Sequence, residues 1–287
     1  MYRYIPPKKR SRLRVALGSL YYRQLRRLFW LKHSKHFSKN LKDISQIDKD
    51  FPCTVFQDKS PIYRNLSQDD IKLQDGKAAN LSIAVKKVNG ALLLPGQIFS
   101  YWKLIGNPSK RKGYKKGMML VNGRPVAATG GGLCALSNLI YWTALHTPLS
   151  IRERYRHSYD VFPDSNRIRP FGSGATCVYN YRDLMIQNET KDIYVLKVYI
   201  KDKTLYAEWK TINPPRERYE VYQKEHWITS EGRGIYLRHN TLYRKTFAIR
   251  TDEKKEELIS DTKITENHAI MMYEPLLPEG NSNQQEE

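Results

Sequence analysis

Gly130-Gly131-Gly132, followed at once by Leu133-Cys134, is the stretch that most narrows what this chain can fold into. Three glycines in a row let the backbone take angles that residues with a Cβ avoid, so a strand or loop can meet a helix abruptly. Leu136, Leu139, Ile140, Thr143 and Ala144 then recur at helical spacing until Pro148 ends the pattern, which opens a helix at Cys134. A thiol in the first turn of a helix feels the positive end of the macrodipole, which favours the thiolate, and nucleophilic cysteines are often presented this way. The same residues also make a plain tight bend with Cys134 as a small core side chain, since buried cysteine is common. Both readings stand on the sequence.

Around that hinge the pattern is helical first and extended afterwards. Phe51-Pro52-Cys53-Thr54-Val55-Phe56 reads as a short strand ended by Asp58 and Pro61. Over Lys77 to Asn89, Leu81, Ala84, Val85 and Val88 share one helical face, which Asn89-Gly90 closes. Pro95-Gly96 makes a turn before Gln97 to Trp102. Beyond residue 150 alternation takes over: His157, Tyr159 and Val161 share one face of a strand over His157 to Phe162, and Asp164 to Arg169 is a polar loop. Ala175 to Tyr181 and Asp183 to Gln187 read as strands, and Ile193 to Ile200 and Thr204 to Lys210 flank Lys201-Asp202-Lys203 as a hairpin. Arg218 to Lys224 and Thr241 to Arg250 alternate as well. The expectation is an α+β fold, with helices in the N-terminal half packed on a mainly antiparallel sheet. Residues 1–50 form a basic arm and connector, 51–277 the folded domain, and 278–287 a disordered tail.

Charge is concentrated at one end. Of the net +20, the first 42 residues contribute 13 Lys and Arg with no Asp or Glu, which leaves +7 on the rest. The basic run Lys8 to Arg14 leads into Val15 to Tyr22, an apolar stretch of eight residues before Arg23. That is well short of the ~20 residues needed to span a bilayer. Arg23, Arg26 and Arg27 follow too soon for a secretory signal, which favours a cytoplasmic setting. Leu17, Leu20, Tyr21, Leu25, Leu28 and Phe29 against the arginines predict a basic amphipathic helix, separable from the fold. Its candidate partners are an anionic membrane surface through residues 1–42, nucleic acid, or nothing beyond solvent and the domain itself. Nucleic acid ranks low because aromatic interleaving is thin and no reading motif accompanies the charge.

Cys53, Cys134 and Cys177 are odd in number, widely spaced and free of any CxxC pair, so neither a zinc ribbon nor a disulfide framework is expected. The seven histidines show no HExxH or paired metal spacing, and the glycines are followed by no Gly-Lys-Ser/Thr, so neither a metal nor a cofactor is expected. Tyr101-Trp102 and Tyr141-Trp142 are candidates for a sugar or peptide groove, although core packing is the commoner fate of such pairs.

Several ungapped runs carry a family resemblance. Leu94 to Trp102, Gly113-Tyr114, Gly130 to Cys134, Ser137-Asn138-Leu139 and His146 to Leu149 lead into Glu153 to His157, and Asp183-Leu184 and Asn188 to Thr190 close the set. In this order they resemble the VanW family, with the core motifs spanning residues 77–190. The resemblance implies an accessory place in glycopeptide-resistance gene sets, and the expectation built on it is a protein acting on or binding cell-envelope material such as a wall precursor or peptidoglycan fragment. Two positions depart from the family pattern: Ala135 stands where Gln is usual, and Gly174 where an aspartate is usual.

A helix-borne Cys134, a strand-borne His157 and a later acid follow the order of papain-like and transglutaminase-like cysteine enzymes. In such a site the imidazole takes the thiol proton and the acid orients the imidazole. Gly174 cannot serve as that acid. Asp160 and Asp183 are the stand-ins, with Asp183 preferred because Asp160 falls on the opposite strand face from His157. The sequence therefore supports two functional classes: a cysteine-dependent acyl transferase or amidase using Cys134, His157 and Asp183, or a non-catalytic binding or scaffold protein whose glycine-cysteine turn serves the fold.

Overall fold

The computed structural model describes residues 10–63, 68–121, 123–161, 169–179, 181–232, 234–250 and 255–275. The polar loop over Asp164 to Arg169 falls almost wholly outside them, and the tail beyond residue 277 entirely so. Helices occupy Arg12–Lys32 (α1), Ile47–Asp50 (α2), Gln68–Val88 (α3), Tyr101–Ile105 (α4) and Cys134–Leu145 (α5). In the N-terminal half the strands are Cys53–Pro61 (β1), Ala91–Leu93 (β2), Ile98–Ser100 (β3), Lys116–Val121 (β4) and Arg124–Thr129 (β5). Further along come Ser150–Glu153 (β6), Tyr159–Asp160 (β7), Met185–Gln187 (β8), Tyr194–Lys201 (β9) and Thr204–Thr211 (β10). Three long strands follow, Glu217–Ser230 (β11), Tyr236–Arg250 (β12) and Lys255–Met271 (β13).

The class is α+β, as expected, but the strands form four sheets, with orders β1-β10-β9-β2, β11-β12-β13-β7, β3-β8-β6 and β4-β5. Every pairing is antiparallel except β13 with β7. The halves interleave, since β1 and β2 from the N-terminal half flank the β9–β10 hairpin. That hairpin turns on Asp202 and Lys203, both at positive φ (47° and 57°), the twist that suits a two-residue connection.

The core gathers on α5. Leu136, Leu139, Ile140, Tyr141, Trp142, Ala144 and Leu145 are all buried, so this helix is enclosed on nearly every side. The face expected for α3 is the buried one, with Leu81, Ala84, Val85 and Val88 inside and Trp209 of β10 in the same cluster.

Two expectations need correction. His157 lies on no strand: β7 is only two residues long, and Arg154 to His157 is irregular backbone. Its regularity is lost because Arg154 reaches across to the Gly172 and Gly174 carbonyls and Thr176 N–H donates to Tyr155 O at 2.8 Å, which ties the segment to a neighbouring loop instead of a ladder. The arm, moreover, is docked over its C-terminal half. Arg26 makes two 2.6 Å bonds to the Glu153 carboxylate and a third, 3.2 Å, to Tyr181 O, while Trp30 and Phe37 are buried in the core cluster.

Candidate functional site

The glycine hinge is a close-packing device. Gly131 and Gly117 face each other so tightly that a Cβ on either would overlap the backbone of the other. Asn80, fully buried on α3, fastens the contact: its Nδ2 donates to Gly131 O (2.9 Å) and Lys115 O (3.1 Å), and its Oδ1 accepts from Lys115 N (2.8 Å). The chain thus reaches α5 pressed against β4. Tyr101 Oη, buried, donates to Leu133 O at 2.8 Å and fixes the entry.

Cys134 is the first residue of α5, as the sequence predicts. Its environment is not that of an activated nucleophile. The residue is part-exposed, yet its sulfur is desolvated and approaches Cys177 O at 3.9 Å, and burial raises the thiol pKa. Desolvation, which penalises the thiolate, outweighs the favourable helix end. Cys177, behind it, is pushed higher still by its own burial.

His157 meets α5 at Asn138, one helical turn after Cys134. Its Nε2 faces Asn138 Oδ1 at 3.4 Å and its Nδ1 faces Thr176 Oγ1 at 2.8 Å, so each ring nitrogen has a polar partner other than the thiol. Burial, reinforced by the Arg154 cation, lowers its pKa to about 4, which keeps the ring neutral at pH 7. Asn138 Oδ1 also accepts from Ala175 N at 2.8 Å, so one amide joins helix, loop and imidazole.

Asp183 is elsewhere. Its carboxylate accepts from Ser100 Oγ (2.5 Å), Trp102 N (2.9 Å) and Leu184 N (2.9 Å), and holds the start of α4 against the segment leading into β8. Burial raises it to about 7, against the pull of the Ser100 and Trp102 bonds. Asp160, the other stand-in, pairs with Arg238 (3.3 Å) and accepts from Tyr273 Oη (2.7 Å). Neither acid orients His157. Among the described residues, no hydrogen bond joins Cys134, His157 and Asp183 to one another.

Two residues that sequence reasoning passed over organise this region. Asn138 is the one amide in a mainly apolar helix, which was the available signal. Arg154 is a largely buried cation stacked 5.0 Å from the Tyr141 ring centroid, with Nε to Gly174 O at 2.9 Å and further bonds to Gly172 O, Thr265 and Asn267. It fastens the 172–174 loop to β13. Gly174 lies against the imidazole itself: a Cβ there would stand 3.1 Å from His157 Nε2 and 2.9 Å from Asn138 Oδ1. Ala135, where the family pattern has Gln, packs against the apolar core.

A concave site lies apart from these residues, between α3, the end of α4 and the 110–114 turn. Ile83, Leu104 and Ile105 give it apolar walls, Gly106 gives it space, and Lys87 and Lys112 give it positive charge, around a cavity of about 390 Å³. Tyr114 closes it and is buried, with a hydroxyl that finds no partner among the described residues. No group of three or more metal-binding side chains gathers among the described residues.

An α+β core built on a glycine-delivered helix, with a desolvated thiol at its start and a neutral imidazole against Asn138, defines the class of domain. Residues 76–210 match the family model described as VanW like protein. The chain is 32% identical over 189 residues to Vancomycin B-type resistance protein VanW of Enterococcus faecalis, covering 66% of this chain and 69% of that protein. It is also 27% identical over 113 residues to the uncharacterized protein YoaR of Bacillus subtilis, covering 39% of this chain and 36% of that one. The protein belongs to the VanW family. No solved structure matches it.

Proposed function

We propose that this protein is a VanW-like accessory protein of glycopeptide (vancomycin) resistance that binds cell-envelope peptide or glycan material, its Gly-Gly-Gly-Leu-Cys turn serving the fold and not bond-making. One observation carries the choice of binding over catalysis: Cys134, His157 and Asp183 each spend their polar atoms on other partners, and burial raises the thiol while lowering the imidazole. A base must come within hydrogen-bond reach of its nucleophile, directly or through one water. The pKa order here is also wrong for an ion pair, because the thiol would give its proton to a ring that stays neutral down to about pH 4. The hollow between α3 and α4 is the candidate place for such a ligand in this proposal: small apolar walls with two lysines at hand suit a short peptide ending in a free carboxylate, the chemistry of a wall-precursor stem.

Calorimetric titration with a stem peptide, as free acid and as C-terminal amide, tests this. The free acid binds, the amide binds at least about tenfold more weakly through loss of a charge-assisted contact, and Lys87→Ala with Lys112→Ala abolishes the difference. Cys134→Ser binds like wild type. Turnover of the peptide that disappears in Cys134→Ser would overturn the binding reading.

A further inference from the structure

The helix α1 presents two faces with different fates. Gly18, Ser19, Arg26 and Trp30 are the positions along it that are partly or fully covered, and Arg26 and Trp30 anchor it to the domain. On the opposite side Leu13, Leu17, Leu20, Tyr21, Leu28 and Leu31 fall within an arc of about 100° that also holds Gln24, while Val15, Tyr22, Leu25 and Phe29 are exposed outside it. All six are more than half exposed, Leu13 and Leu31 each at 71%. Cations edge this stripe on both flanks: Arg14 and Lys32 on one, Arg23 and Arg27 on the other, every one exposed. Apolar side chains held outward by a docked helix, with long cationic stems beside them able to reach upward, have the form of an interfacial helix.

From this geometry we infer that α1 lays its Leu13–Leu31 stripe onto an anionic bilayer surface and holds the domain there. Charge decides among occupants. The first 42 residues carry 13 cations and no acid, so a second copy seated stripe to stripe would bring like charges together without relief. A spanning role does not fit, since no helix among the described residues is long and apolar enough to cross a membrane. Anionic lipid answers both requirements, taking the leucines among its acyl chains and the arginines at its phosphates. This inference is independent of what the cavity binds.

Sedimentation of the full chain with phosphatidylglycerol–phosphatidylcholine vesicles, and with phosphatidylcholine alone, is the test. Binding to the anionic vesicles that weakens as salt rises is expected. The variant Leu17→Gln, Leu20→Gln, Leu28→Gln loses roughly a hundredfold in partitioning. Arg14→Gln, Arg23→Gln and Arg27→Gln each lose roughly fivefold. Tyr21→Trp, a single change on the stripe that leaves the docking contacts alone, adds fluorescence that brominated anionic lipid quenches. No binding by wild type, binding that the leucine variant retains, or an unquenched signal from Tyr21→Trp would overturn the inference. So would a stable dimer, broken by the leucine variant, that vesicles fail to dissociate.

Discussion

Replacing Gly131 by Ala tests whether the glycine hinge is a packing device. Gly131 has an ordinary φ, unlike its neighbours Gly130 (79°) and Gly132 (88°), so its requirement is for space alone. The added methyl would run into the backbone of Gly117, which has no side chain to swing aside. Forcing β4 outward by overpacking costs about 1–3 kcal/mol. The movement also strains the bonds that Asn80 makes to Gly131 O and Lys115 O, at about 1 kcal/mol each. The sum, about 3–5 kcal/mol, is a large part of the total stability of a domain, which is of order 5–15 kcal/mol. Gly232→Ala is the control: its φ is 78° but nothing lies within 4 Å, so only the left-handed strain of about 1–2 kcal/mol applies. Urea unfolding reads both as shifts in midpoint at constant slope. A Gly131→Ala variant no less stable than Gly232→Ala would refute the packing argument.

Three further outcomes follow from the buried charges. His146 and His157 both fall to about 4 from an ordinary 6.5, while Asp183 rises from 3.8 to about 7. Between roughly pH 4.5 and 6.5 the two histidines bind protons only in the unfolded chain and Asp183 only in the folded one. The unfolded chain then holds about one proton more, so stability rises with pH by about 1.4 kcal/mol per unit. Asp183→Asn removes the opposing group and about doubles that slope; a flat or reversed profile would contradict the assignments. Glu153→Gln breaks the paired bonds to Arg26, costs about 2 kcal/mol and opens α1 to trypsin at Arg23 and Arg27, which limited proteolysis would show. Gly174→Asp sets a carboxylate beside His157 and lifts its pKa from about 4 towards the ordinary value, visible in its ring NMR shifts, while the reactivity of Cys134 stays unchanged.

Local pattern carried a good part of this fold. The buried face of α3, the start of α5 at Cys134 and the β9–β10 hairpin are set by neighbours in sequence, and periodicity finds them. Tertiary contacts decide the rest. The irregular segment before His157 comes from Arg154, whose partners lie 18 residues or more away on the 172–174 loop and on β13. β13 itself was not anticipated, because Leu258 and Ile259 are both exposed on a strand rich in Lys, Glu and Thr, which leaves no inward-outward alternation to read. At the site, sequence order alone could not show that Asp183 serves Ser100 and Trp102, nor that burial of the Cys134 sulfur outweighs its place at a helix start.

The central claim is that Cys134 is a structural thiol, and its own titration tests that most directly. Alkylation rates of each cysteine against pH, resolved by peptide mass spectrometry, separate Cys134 from Cys53 and Cys177. Cys134 should react slowly and ionise above the ordinary thiol value of about 8.5, with the same profile in His157→Ala. A Cys134 thiolate already present near neutral pH in wild type and lost in His157→Ala would contradict the account and restore the cysteine-enzyme reading.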